Sequence, residues 1–261
     1  MQIIDFHTHI YPETIARKAA QSICDFYELD GGGMCGTVSQ LLERGKQAGI
    51  SRYVVLPVGL KPNHVRHINE FILSEAERHP EFTGFGTVHA GQEDLLEETQ
   101  FILDSGLHGI KMHPDTQLFN IDDERLFPMY DLLQDKIPVM LHMGDKRYSY
   151  SHPARLRRVM QQFPRLQVIA AHFGGYSVYD EAYENLHDMN CMMDVSSSLM
   201  FMSREEAVKR IRSYGAERLL YGTDFPLWDP VTEVARFQAL PLTEAEFDLI
   251  SHKNALAILG K

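Results

Sequence analysis

Eight short apolar runs recur along the chain, each separated from the next by a stretch long enough for an amphipathic helix. They cover residues 2–6, 52–57, 82–88, 109–113, 138–142, 167–172, 191–195 and 219–223. Several are apolar without alternation, as in Val168-Ile169-Ala170-Ala171; strands read that way when both faces of their sheet are covered. The intervening stretches carry helix signals. Asn63 is placed to cap a helix with Val65, Ile68 and Ile72 on one face. Residues 92–105 carry Leu95, Leu96, Thr99, Ile102 and Leu103 and stop at Gly106. Ser203 with Glu206, and Thr243 with Glu246, have capping-box spacing, the second opening a final helix that ends near Gly260. Eight alternations predict an α/β chain, either a closed (β/α)8 barrel or an open doubly wound sheet. The 261 residues match the roughly 250 of one barrel, and no G-x-G-x-x-G follows any run. The expectation is a single-domain (β/α)8 TIM barrel over residues 1–261.

Composition narrows the partners. The formal charge of −11 argues against a nucleic acid, because phosphate binding needs a basic surface. Cys24, Cys35 and Cys191 are odd in number and form no C-x-x-C pair, so no disulfide framework is expected and a cytoplasmic setting fits. No apolar run approaches the roughly 20 residues that span a bilayer, so no membrane partner is expected. The N-terminal residues enter the first run without a basic segment or an apolar core, and no signal peptide is expected. Two connections are long. Residues 10–37 are expected to hold a helix from Glu13 to Phe26, then Gly31-Gly32-Gly33 as a turn or hinge. Residues 143–152 follow the fifth run. In such barrels the segments after strands form the catalytic face.

Position makes the thirteen histidines informative. His7 and His9 end the first run, His113 the fourth, His142 the fifth and His172 the sixth; Asp224 follows the eighth. Residues i and i+2 of a strand share a side, so the imidazoles of His7-Thr8-His9 can both face a barrel axis and hold one divalent ion. Asp5 has the same parity, one layer deeper. A lone histidine at a strand end is commonly structural, and an aspartate after a strand commonly belongs to a turn. The coincidence of four such strand ends with Asp224 points instead to a metal site.

Five stretches are quoted together: Asp5-Phe6-His7-Thr8-His9-Ile10-Tyr11-Pro12, Gly109-Ile110-Lys111-Met112-His113-Pro114, Leu141-His142-Met143-Gly144, Ala171-His172-Phe173-Gly174-Gly175 and Gly222-Thr223-Asp224-Phe225-Pro226. With Asn254-Ala255 near the end, their order and spacing resemble the amidohydrolase superfamily. The resemblance runs nearly end to end, and is greatest to the branch that includes aminocarboxymuconate-semialdehyde decarboxylase and many metal-dependent hydrolases. It implies one divalent ion, often zinc, held by His7, His9, His142 and Asp224, with His172 working beside the bound water. In binuclear relatives the sixth-strand histidine binds a second ion and a carboxylated fourth-strand lysine bridges the pair. Lys111 has the matching parity, and stands for that role, for an ion-pair partner or for a contact to a substrate carboxylate. One ion is the expectation. Homodimers are common in this branch, so a homodimer is possible; no interface signature is visible in the sequence.

A nitrogen and oxygen donor set without thiolate suits Zn²⁺ by default, with Mn²⁺, Fe²⁺ and Co²⁺ as alternatives. Such an ion lowers the pKa of water from about 15.7 toward roughly 7. Asp224 and His172 are the expected catalytic groups, taking and returning the proton. His113, Arg147 and Trp228 are the expected contacts to a small-molecule substrate, Arg147 because a guanidinium grips a carboxylate in a bidentate fork. Met200, Phe201 and Met202, with Tyr148 and Tyr150, are candidates for an apolar rim. The main functional expectation is metal-dependent hydrolysis of an amide, lactone or ester-like bond. The alternative is non-oxidative decarboxylation of a small unsaturated or aromatic acid by a carboxy-lyase, and the third is a metal-binding barrel without catalysis. Both chemistries occur in the branch, and the ligand set does not separate them.

Overall fold

The computed structural model describes residues 2–29 and 33–260. Of the expected glycine turn, Gly31 and Gly32 therefore lie outside the described residues. The described strands are β1 (Ile4–Thr8), β2 (Arg52–Val55), β3 (Phe82–Gly84), β4 (Gly86–Thr87), β5 (Ile110–Met112), β6 (Val139–Leu141), β7 (Val168–Ala170), β8 (Met192–Asp194) and β9 (Leu219–Leu220). Helices alternate with them, giving the expected α/β order. The chain forms two compact units, Met1–Leu56 with Val195–Lys261, and Pro57–Asp194. Among the described residues no helix is long and apolar enough to cross a membrane.

In the first unit, β1 pairs in parallel with β2, Ile4 opposite Arg52 and Thr8 opposite Val55. The segment that continues β9 also bonds to β1: Phe6 N donates to Tyr221 O and Asp224 N to His7 O, both at 2.8 Å. All five residues of β1 are buried, the polar Asp5, His7 and Thr8 among them, so both faces of this strand are covered. The helix expected from Glu13 begins later, spanning Ala16–Tyr27, and is followed by another at Val38–Ala48. Thr37 caps that second helix by accepting from Gln40 N, and Gly49 ends it in the left-handed conformation. Asp229, the cap of helix Pro230–Gln238, is gripped by Arg44, which ties these two helices together. Near the C-terminus Thr243 and Glu246 form the full reciprocal capping box, and Ser203 accepts from Glu206 N.

In the second unit, β4 to β8 pair in parallel in sequence order, for example Gly86 opposite Ile110 and Val139 opposite Val168. The expected third strand is split at Phe85. Both pieces still bond to the segment leading into β5, through His108 N to Gly84 O and Gly86 N to Gly109 O. The Phe85 ring occupies the space a Cβ on Gly109 would take, 2.3 Å from that position, so only glycine fits.

The helix at Val65–Arg78 corrects the sequence expectation. Asn63 lies in a 3-10 turn, Pro62–His64, and His64 rather than Asn63 precedes the helix. Its buried positions are Val65, Asn69, Ile72 and Glu75, while Ile68 is half-buried. A polar residue displaces an apolar one because it is fully bonded. Asn69 Oδ1 accepts from Thr87 N at 2.7 Å; Nδ2 donates to Thr87 O at 3.0 Å and to Glu98 Oε1 at 2.7 Å. A side chain thus completes backbone bonds of β4. The next helix spans Leu95–Ser105 and stops at Gly106 as expected, but buries Glu98 and leaves Leu96 exposed.

Candidate metal centre

His7 lies in β1 and His9 just beyond its end, and their ring centroids are 5.2 Å apart. His9 Nδ1 lies 2.6 Å from Leu56 O; a carbonyl only accepts, so Nδ1 carries the proton and Nε2 the lone pair of the neutral ring. That Nε2 lies 3.4 Å from Asp224 Oδ1. His7 Nε2 lies at the same 3.4 Å from the same oxygen, while its Nδ1 is 3.0 Å from Ser196 Oγ. Each imidazole is thus oriented through one nitrogen and presents the other to a shared carboxylate oxygen. The residues fit a divalent ion: a 3.4 Å edge belongs to a tetrahedron whose arms are about 2.1 Å, the length of zinc–nitrogen and zinc–oxygen bonds.

Neighbouring residues explain how Asp224 reaches that place. Asp5 is fully buried and accepts from His7 N (3.2 Å), Thr223 N (2.9 Å) and Thr223 Oγ1 (2.6 Å). It ties β1 to the segment that presents Asp224. Gly222 lets the two approach, since a Cβ there would lie 2.7 Å from His7 Cβ. Asp224 itself has φ +62°, a conformation that costs a non-glycine residue about 1–2 kcal/mol. Its Oδ2 accepts from Ser197 Oγ, and Trp228 Nε1 donates to that hydroxyl at 2.8 Å. Ser196 and Ser197 escaped the sequence reading because three serines after a strand read as a turn. Trp228, expected to touch substrate, is half-buried, bonded to Ser197 and edge-on to Phe201.

The second unit gathers His113, His142 and His172. His142 Nδ1 lies 3.0 Å from His172 Nε2, and the His113 ring stacks on His142 at 3.8 Å, 5° from parallel. His172 opens a left-handed turn, with φ +60°, +53° and +74° over His172, Phe173 and Gly174. Asp194 braces that turn: its Oδ1 accepts from His172 N at 3.2 Å and lies 3.9 Å from His172 Nδ1. His113 Nδ1 faces Thr116 N at the start of the turn Pro114–Gln117, which leaves the His113 proton on Nε2 as a donor. Asp115 was not anticipated. It is fully buried, accepts from Ser151 Oγ, and lies 3.7 Å from His142 Nε2. Burial pushes its carboxyl up to about 6, against the opposing Ser151 bond. An aspartate after His113-Pro114 carries no sequence signal beyond that of a turn.

Lys111 is 1% exposed, with Thr87 and Met140 as its register neighbours. Arg147 grips Asp145 through Nε at 3.0 Å and Nη2 at 2.7 Å, so the fork expected for a substrate already holds the preceding acid. Of the rim candidates, Tyr148 and Phe201 are exposed and Tyr150, Met200 and Met202 are half-buried.

Solved structures share this architecture from end to end. An uncharacterised TIM-barrel protein from Bordetella bronchiseptica is 22% identical, with TM-score 0.82 over 100% of this chain and 99% of that one. A 2,6-dihydroxybenzoate decarboxylase bound to 2,6-dihydroxybenzoate is 18% identical, with TM-score 0.79 over the whole of both chains. A dihydroxybenzoic acid decarboxylase from a Polaromonas species, with bound manganese and 2-nitroresorcinol, is 15% identical, with TM-score 0.75 over 99% of this chain and 97% of that one. These likenesses show the fold, a TIM barrel. No sequence among curated proteins matches the chain significantly. The amidohydrolase family model matches residues 4–261, taking in the β1 histidines, the second-unit histidines and Asp224 in one span, and the chain belongs to the amidohydrolase family.

Proposed function

We propose that the chain is a metal-dependent hydrolase acting on an amide, lactone or ester-like bond of a small molecule, with residues 1–261 as one catalytic domain. His7, His9, His142 and Asp224 would hold one divalent ion, zinc by donor chemistry. The observation that carries the reading is the pair of imidazole nitrogens, each 3.4 Å from Asp224 Oδ1 and each oriented by its other ring nitrogen.

A bound ion would supply acidified water, with a pKa near roughly 7, and polarisation of a carbonyl. The remaining work falls to side chains. Asp224 accepts the proton of the attacking water. That proton is returned to the leaving atom as its bond to the carbonyl carbon breaks, with His172, whose Nδ1 faces Asp194, working beside the water. His113 donates from Nε2 to a substrate oxygen. Hydrolysis is preferred over decarboxylation because the arginine best suited to grip a substrate carboxylate is held by Asp145. Lys111, buried on β5, is assigned as an ion-pair or substrate contact rather than a bridge between two ions.

Decarboxylation is the second reading, favoured by the fold shared with dihydroxybenzoate decarboxylases, one of them with manganese. The test is product analysis of protein reconstituted with zinc or manganese, offered lactones, esters, amides and hydroxybenzoates. Acid release without CO₂ supports hydrolysis. CO₂ from an aromatic acid, with no bond hydrolysed, establishes the second reading. Retained metal without turnover on any of them leaves a binding protein.

A further inference from the structure

We infer that Ser197 and Trp228 form a directional support that fixes Asp224 as a ligand through Oδ1 alone, and that the single tryptophan reports occupation of the site. The inference rests on the reading of His7, His9 and Asp224 as metal ligands.

Its first ground is the polarity of the hydrogen bonds. An indole N–H only donates, and Trp228 Nε1 donates to Ser197 Oγ at 2.8 Å. A carboxylate only accepts, and Asp224 Oδ2 accepts from the same hydroxyl. One hydroxyl has one proton, so the chain runs one way, from indole to hydroxyl to carboxylate. Oδ2 is thereby engaged in a charge-assisted bond, and Oδ1 is the oxygen turned to His7 and His9. A carboxylate torsion is broad and roughly two-fold by itself. The support selects one of the two oxygens.

The second ground is backbone cost. Ser197 has φ +47° and Asp224 φ +62°, both non-glycine residues in the left-handed region. Each costs about 1–2 kcal/mol that glycine would avoid. Retaining serine there is explained if its hydroxyl is used. Ser197 is 3% exposed and Asp224 5%, so the contact is shielded from water. The third ground is the neighbouring residue: Ser196 Oγ lies 3.0 Å from His7 Nδ1. Two successive hydroxyls therefore address two ligands of the same cluster, and groups behind metal ligands of this kind tune affinity about 10–100-fold.

The chain holds one tryptophan, so its emission is specific to this support. The experiment uses the full chain stripped of metal and titrated with Zn²⁺, a diamagnetic ion that does not quench by itself. Tryptophan emission and competition against a chromophoric chelator are read together. Ser197→Gly is the informative variant, because it removes the hydroxyl while relieving the left-handed backbone, so it is expected to fold. The expected result is a wild-type emission change that saturates at one equivalent of zinc. Ser197→Gly should bind zinc about 10–100-fold more weakly, without that emission change. Trp228→Phe, followed by chelator competition, should weaken binding by a smaller factor. Wild-type zinc affinity in Ser197→Gly overturns the support while leaving the ligand reading intact, and so does zinc binding by the wild type with silent emission. A wild type that binds no zinc overturns the ligand reading and the support with it.

Discussion

Glu233 offers a quantitative check on the first unit. It lies in helix Pro230–Gln238 and is 4% exposed. Burial pushes its carboxyl up from 4.5 to about 7; Asp224 and Asp229 add to the push and Arg236 opposes it. A raised acid pKa means that the native state keeps a proton the unfolded chain gives up. Native protein therefore binds more protons between pH 4.5 and about 7, and stability falls as pH rises through that window. At about 1.4 kcal/mol per pH unit the full loss is about 3 kcal/mol, absent below the unfolded value and complete above the folded one. Glu233→Gln keeps the shape of the protonated acid and an oxygen for Arg236 Nε, now at 3.3 Å. The forfeited ion pair is worth little, since Arg236 is partly solvated. The variant should match wild type at about pH 5 and exceed it by about 2–3 kcal/mol at about pH 8.5, or roughly 5–10 °C in melting temperature. Urea and thermal unfolding across that range measure the difference. Parallel stability curves for the two proteins would refute the argument, because they would mean that Glu233 is as ionised in the folded state as in the unfolded one.

Three further outcomes follow from contacts in the two units. Asn69→Ala removes three buried hydrogen bonds and strands Thr87 N–H and C=O, so it should cost about 3–5 kcal/mol in urea unfolding; a loss under about 1 kcal/mol would show that water replaces the amide. Gly222→Ala pushes a methyl against His7 Cβ and should lower bound zinc together with about 1–3 kcal/mol of stability, and full zinc content would contradict the close approach. His142→Ala should lower metal content by elemental analysis of purified protein, and undiminished content would remove His142 from the proposed ligand set.

Strand positions were legible because strands covered on both faces read as near-continuous apolar runs, as Val139–Leu141 and Val168–Ala170 do, and β1 and β5 to β8 lie within the runs where they were expected or overlap them. Limits arose where a polar side chain replaces a backbone partner. Asn69 takes a core position on a helix face because it bonds Thr87, a contact set by pairing distant in sequence, and Phe85 breaks a strand because Gly109 leaves room for its ring. The proposed ligands His7 and His9 were legible from their spacing. His7 lies in β1 and His9 just past its end, two residues on, and both turn Nε2 toward Asp224 Oδ1 as the spacing suggested.

The residues behind the ligands obey no such local rule. Ser196, Ser197 and Asp115 follow strand ends in a turn-like context and Asp194 ends β8, and only the fold shows that each faces a site residue. Left-handed backbone marks several of these places, at His172, Ser197 and Asp224, and it has no signature in sequence when the residue is not glycine. The same reasoning bears on the reaction. An ion held as proposed by His7, His9, His142 and Asp224 would serve hydrolysis and decarboxylation alike, whereas the grip on a substrate carboxylate depends on whether a loop arginine has a partner of its own. Here Arg147 has Asp145 two residues before it. Asp145→Asn would loosen that hold, so if hydrolysis is preferred for the reason given, the variant should gain affinity for carboxylate-bearing inhibitors in competition assays. Unchanged inhibition would mean that Arg147 does not decide the substrate class.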